Sequence, residues 1–163
     1  MTAKLHMSPD VSYMLGISTL GKDQPSISVS SKNDELVERF IRIAMNSLKI
    51  DSQKIMFNEK DGIKSALFYN SKVKRLMKDA MEDRERIFKY LNEYSASYFA
   101  GIYDTRGGVD KKGIWLRVHD LVDVIVLERL GFRVSGKNIS RVRNQNEKFA
   151  AFIRPYSTTL KKI

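Results

Sequence analysis

Three aspartates stand inside or just behind two similar apolar stretches, and carboxylates so placed could do metal chemistry. Ser12-Tyr13-Met14-Leu15-Gly16-Ile17-Ser18-Thr19-Leu20-Gly21 is followed by Asp23; Ser97-Tyr98-Phe99-Ala100-Gly101-Ile102-Tyr103 leads into Asp104, with Asp110 a few residues on. Oxygen ligands of this kind hold Mg²⁺, which can activate water and hold the leaving oxygen when a phosphodiester is hydrolysed. Asp104, near the end of a short helix, sits unfavourably against the helix dipole, so a cationic partner such as Arg106 or Lys22 is expected for it. Other chemistries find no residues. With zero cysteines, and His6 and His119 the only histidines, neither a disulfide nor a zinc site can be assembled. Gly107-Gly108 lacks the Gly-Lys-Ser/Thr ending of a phosphate loop, no Ser/His/Asp spacing stands out, and His119-Asp120 reads as a helix start.

A second set of residues could bind rather than react. The formal net charge is +10, which points to an anionic partner, nucleic acid before membrane. The charge is uneven: residues 94–163 hold 13 Lys+Arg against 6 Asp+Glu, residues 1–93 hold 16 against 13. Ser26-Ile27-Ser28-Val29-Ser30 alternates strictly, so its serines face away from a core that Ile27 and Val29 enter. The same reasoning sets Lys54 and Lys64 in the first half, and Trp115, Arg117, Arg133, Ser135, Lys137 and Arg141 in the second, on outward strand faces. Arginine reads guanine bidentately, whereas serine and lysine mostly fix a protein on phosphates. Trp115, turned away from Ile114 and Leu116, either packs under the following helix or stacks on a base. Lys72, Lys74, Arg75 and Lys78 form a basic helix face that reads as solvated surface.

The elements that must carry these residues follow in order. Ser8-Pro9-Asp10 opens a helix running to about Leu20, and Gly21-Lys22-Asp23-Gln24-Pro25 is a turn. Asn33 or Asp34 caps a helix with Leu36, Val37, Phe40, Ile41, Ala44 and Leu48 on one face. Lys54–Asn58 and Ile63–Tyr69 pair around Lys60-Asp61-Gly62, and helices follow over Ser71–Met81 and Asp83–Asn92. In the second half, a helix closing at Gly107-Gly108 is followed by a polar hairpin end over 107–113. Next come a strand at Ile114–Val118, a helix at Asp120–Leu130, a hairpin across Gly136-Lys137 and a helix over Asn144–Arg154. Helix, strands, helix, strand pair, helix thus occurs twice at a period of about 85 residues, with the join near Glu93-Tyr94. Ala100-Gly101 and Leu15-Gly16 leave room for one helix backbone to approach another, so the two stretches are expected to pack face to face.

Phe99-Ala100-Gly101-Ile102-Tyr103-Asp104-Thr105-Arg106-Gly107 lies without a gap on the nine-residue motif of the LAGLIDADG homing endonucleases and maturases, identical at Ala100, Gly101, Asp104 and Gly107. Met14–Lys22 resembles it more weakly through Leu15-Gly16-Ile17. The resemblance implies an α+β fold of two pseudo-symmetric halves, 1–93 and 94–163. Their motif helices would meet at the interface, and two antiparallel sheets would form a saddle on the DNA major groove. It implies an acid at the eighth motif position to hold the catalytic metal, and here that position is Gly21 in one copy and Arg106 in the other. The expectation is therefore an intracellular, monomeric, double-stranded-DNA-binding protein, cytoplasmic or nucleoid-associated, that has lost cleavage and needs no cofactor. The alternatives are an Mg²⁺-dependent endonuclease using Asp23, Asp104 or Asp110, and a maturase acting on RNA. No membrane association is expected, as no apolar run nears the roughly 18 residues of a span.

Overall fold

The computed structural model describes residues 5–22, 24–136, 139–142 and 145–160. Each half starts with a helix that is buried all round. Helix α1 (Pro9–Ile17) begins at Ser8, whose side chain accepts from the Val11 N–H, with Pro9 in the first turn, where its missing N–H costs nothing. Its counterpart α5 (Glu93–Arg106) begins with a capping box between Asn92 and Ser95. The two carry no polar face because they lie against each other with the rest of the protein around them.

Behind each helix comes a four-stranded antiparallel sheet. The first comprises β1 (Thr19–Leu20), β2 (Ser26–Ser31), β3 (Met56–Lys60) and β4 (Ile63–Tyr69), in the order β1-β2-β4-β3. The second comprises β5 (Gly107–Asp110), β6 (Gly113–Leu116), β7 (Val134–Ser135) and β8 (Ser140–Val142), and repeats that order as β5-β6-β8-β7. In the first half α2 (Asp34–Asn46) connects β2 to β3, and α3 (Ser71–Glu82) and α4 (Arg84–Ile87) follow β4. In the second half α6 (Leu121–Arg129) and α7 (Asn146–Ile153) take the places of α2 and α3. Asn33 caps α2, and the two-residue turn at Asp61-Gly62 has positive φ at both positions, as a tight β-hairpin requires. A single apolar core runs through both halves, with Phe40, Phe68, Phe88, Phe99, Phe132 and Phe149 fully buried. Among the described residues no helix is long and apolar enough to cross a membrane.

The structure departs from the sequence expectations at several elements. Helix α1 stops at Ile17 rather than Leu20: Ser18 turns extended (ψ 144°) and Thr19-Leu20 pair with β2 as a strand. Gly107-Gly108 is likewise a strand, and Gly107 is extended (φ −136°), not left-handed. Glycine is required there for space, since a Cβ would lie 2.9 Å from the Trp115 carbonyl and from Tyr103 backbone atoms. The stretch expected as helix over 83–92 keeps only Arg84–Ile87, and the strand expected at Lys54–Asn58 starts at Met56. Lys54 instead closes a 3₁₀ turn, Ser52–Lys54, capped by Asp51.

Candidate functional site

Both motif helices carry the same residues at the crossing, and their roles are mirrored. A Cβ on Gly16 would fall 2.3 Å from the Tyr98 carbonyl oxygen and 3.1 Å from the Gly101 Cα; one on Gly101 would fall 2.6 Å from the Tyr13 carbonyl. Leu15, Gly16, Ala100 and Gly101 are all buried. One turn before each glycine stands a buried serine, Ser12 or Ser97, so the small residues form a one-turn repeat on each helix. The repeat, Ser-Tyr-x-x-Gly-Ile in both copies, is visible in the sequence.

The tyrosines of that repeat are mirrored as well. Tyr13 Oη donates to Asp104 Oδ2 at 2.5 Å, and the Arg39 guanidinium lies 3.4 Å from its ring centre. Tyr98 Oη donates to Asp123 Oδ1 at 2.7 Å, and Arg84 Nη1 lies 3.3 Å from the same hydroxyl. Burial first, and then the facing carboxylate, raise both phenols' pKa and hold them protonated. Asp104, expected beside Arg106 or Lys22, thus bonds elsewhere: it accepts from Tyr13, from Ser157 Oγ at 2.5 Å, and from the N–H groups of Thr158 and Thr159 at 2.7 and 3.2 Å. It ties the C-terminal segment to the motif helices. Arg84, buried at 4% exposure, reaches Asp123 at 2.6 Å and Asp120 at 2.7 Å, pinning the first half to α5 and α6.

At the base of the helices the halves are unlike. Helix α5 runs five residues past its crossing glycine, α1 only one. The shortfall leaves the Gly16 carbonyl at a buried helix end, and Arg106 fills the gap: its Nη1 donates to Gly16 O at 3.3 Å and lies 2.9 Å from His119 Nε2. A cation here also complements the C-terminal end of the α1 dipole. Burial is the main reason His119's pKa falls to about 4, with Arg106 adding to it, so the imidazole is neutral and can accept from the guanidinium. Burial also lowers the Arg106 pKa from its ordinary value. Beside them lies a cleft of about 420 Å³ lined by Leu15, Thr19, Met77, Lys78, Arg106 and His119 among others.

Gly21 lies outside any helix. It stands after β1, its N–H donating to Ser26 O at 3.0 Å and its carbonyl accepting from Lys74 Nζ. Lys74, from the basic helix face, is therefore bonded to the turn. Asp110 is out on the β5–β6 hairpin, paired with Arg141 through both carboxylate oxygens at 2.7 and 2.6 Å, which draws its pKa down to about 2. Asp23 and Lys137 lie outside the described residues. Mg²⁺ would need several carboxylate oxygens at the helix ends. The described side chains there include Arg106, His119 and Ser18; Asp104, Asp120 and Asp123 are each engaged, and Glu82 lines the cleft beside Asp120, so Arg106 brings a cation where that ion would need oxygen ligands. Among the described residues no three His, Cys, Asp or Glu come together as metal ligands would.

The outer sheet faces follow from the register, because residues directly opposite in an antiparallel pair share a face. Ser26, Ser28 and Ser30 lie opposite Tyr69, Leu67 and Ser65, and Ser30 Oγ is 2.8 Å from Ser65 Oγ. Lys64 lies on the other face, in line with buried Ala66 and Phe68, and its ammonium pairs with Asp34 at 2.7 Å. Its expected outward direction is thus corrected by one residue of register. In the second sheet Gly108, Trp115, Arg141 and Ser135 share the outer face. The Trp115 ring lies over Gly108, where a Cβ would come within 2.9 Å of it. Arg117 and Arg133 are exposed beside the strands.

No protein-family model matches the sequence, and no curated protein matches it either. Solved structures do. Mesophilic variants of the homing endonuclease I-DmoI match over 93% of this chain and 97% of theirs, at 16% identity and a TM-score of 0.66. I-DmoI in complex with DNA and Ca matches over 93% of this chain and 91% of that one, at 15% identity and a TM-score of 0.67. Full-length DUF199/WhiA from Thermatoga maritima matches over 96% of this chain and 59% of its own, at 10% identity and a TM-score of 0.60. The chain has the LAGLIDADG homing-endonuclease fold, and at these identities the likeness is one of fold.

Proposed function

We propose that the protein binds duplex DNA as a monomer through its two outer sheet faces and does not cut it. The observation that carries the reading is Arg106, at the eighth motif position, bound to the Gly16 carbonyl and to His119 where a metal-binding carboxylate would have to stand. Asp104, Asp120 and Asp123 support it, since each is committed to holding the fold. Binding rests on the net charge of +10, on the basic second half and on a shared fold with I-DmoI, whose solved structures include complexes with its target DNA. A two-stranded ribbon fits a major groove about 12 Å wide.

The test incubates purified protein with a random duplex pool, with and without Mg²⁺ and across a salt series, and sequences bound and cut molecules. Selective binding that weakens with salt, without Mg²⁺-dependent ends, is expected. Defined staggered ends would restore the endonuclease reading and send the search for ligands to Asp23 and the hairpin. Structured RNA bound in preference to duplex DNA would give the maturase reading.

A further inference from the structure

Resting on the duplex-binding reading, we infer that the two sheets read chemically different half-sites: the first reads A·T pairs through thymine methyl groups, the second reads guanine through arginine. The outer face of the first sheet is almost uncharged. By register it carries Thr19, Ser28, Leu67 and Met56 in one row and Ser30, Ser65 and Asn58 in the next; Ser26 with Tyr69 and Ile63 with Lys60 stand at its ends. Lys60 is the one charged side chain among these, since Lys64 and Glu59 fall on the opposite face. Met56, Ile63 and Tyr69 are 47%, 41% and 47% exposed, a degree of apolar exposure absent from the outer face of the second sheet within its described strands.

This mixture selects its occupant. With Lys60 at one end as its one cation, the face gives phosphates or lipid headgroups little charge to pair with. Serine is depleted in protein–protein interfaces, whereas four serines line this one. Base edges in a major groove offer what the face can use: the thymine methyl for Met56, Ile63, Leu67 and Tyr69, adenine N6 and N7 for the Asn58 amide, and varied donors and acceptors for the hydroxyls. All the specific contacts point to A·T pairs. In the second sheet Arg141 sits on the outer face with Trp115, its guanidinium paired there with Asp110, and the exposed Arg117 and Arg133 flank the strands. The two exposed arginines suit guanine O6 and N7, and Arg141 would join them only by exchanging Asp110 for a base. The fold's symmetry therefore carries an asymmetric chemical code.

The test begins with a site selected from random duplex DNA. With no cysteine in the chain, a DNA-cleaving reagent tethered at Asn58→Cys maps which half lies under the first sheet. Thymines in each half are then replaced by deoxyuridine, which removes the methyl group and nothing else. Affinity is expected to fall about threefold to fivefold per contacted thymine under the first sheet, and to stay level under the second. The triple variant Met56→Ser, Ile63→Thr, Tyr69→Thr should lose the deoxyuridine effect while keeping its guanine preference and salt slope. Circular dichroism checks that these surface changes leave the fold intact. Selective binding with no deoxyuridine effect, or with the effect under the second sheet, would overturn the inference and leave duplex binding standing. A self-associated form in sedimentation that the triple variant dissolves would also overturn it, by giving the face to a second copy. No selective duplex binding at low salt would sink the duplex-binding reading itself.

Discussion

At the residue scale, Arg106 is at once the replacement for an expected acid and the group that completes a shortened helix. A free arginine at this point would be a phosphate ligand. The observed one is part-buried and tied to Gly16 and His119. Arg106→Ala should leave the Gly16 carbonyl without its charged partner and lower stability by about 1–3 kcal/mol, read from urea denaturation midpoints. An unchanged midpoint would show that the cap contributes nothing. His119 adds a pH signature. Its pKa in the fold, about 4, lies below its ordinary 6.5, so between those values the unfolded chain binds more protons. Stability from this group is complete above about pH 6.5 and is lost as the pH falls toward 4. His119→Gln should flatten that part of the profile relative to the native protein, which a pH series of denaturation curves would reveal.

Elements decide what could be read in advance. Alternating Ser26–Ser30, the turn at Lys60-Asp61-Gly62 and the caps at Ser8 and Asn33 obey local rules, and each was legible because its cause lies within a few residues. The end of α1 was not, because its cause is remote: β1 is a strand only where β2 is present to pair it, and the Gly16 carbonyl is satisfied by a residue 90 positions away. Lys64 was misplaced because a strand's faces invert with one residue of register, and Lys64 is fixed by its partner Asp34 in α2. Asp104 needs a partner by its place on the helix, but three of its four donors come from a C-terminal segment with no periodicity of its own. The same segment yields a prediction for elements. Arg39 Nη1 donates to Tyr156 O at 2.5 Å and reaches Thr158 Oγ1 at 3.1 Å, so α1, α2 and α5 share one strap. Truncation after Tyr156 removes the Ser157, Thr158 and Thr159 donors from Asp104 and strands a carboxylate against Tyr13. Hydrogen exchange should then speed up first in α1 and the start of α2, well before the second sheet; uniform loss of protection would contradict the strap.

For the whole molecule, the seam between the halves is a core rather than a docking surface. Gly16 and Gly101 bring two backbones within the reach of a single Cβ, Arg84 crosses from the first half to Tyr98 and Asp123 in the second, and Arg106 crosses back to Gly16. None of these contacts can be made within one half. A piece of about 70–93 residues buries too small a share of its surface to spare such a face, because small domains are marginal even when their cores are whole. Expressed separately, 1–93 and 94–163 should each lack cooperative unfolding and dispersed amide signals, and should recover both on mixing. Introducing Gly101→Val into the second fragment should abolish that recovery, since the new side chain would press on the Tyr13 carbonyl 2.6 Å from its Cβ. If either fragment folded alone with native stability, the halves would be independent domains, and the close crossing of α1 and α5 would be a consequence of assembly instead of its cause.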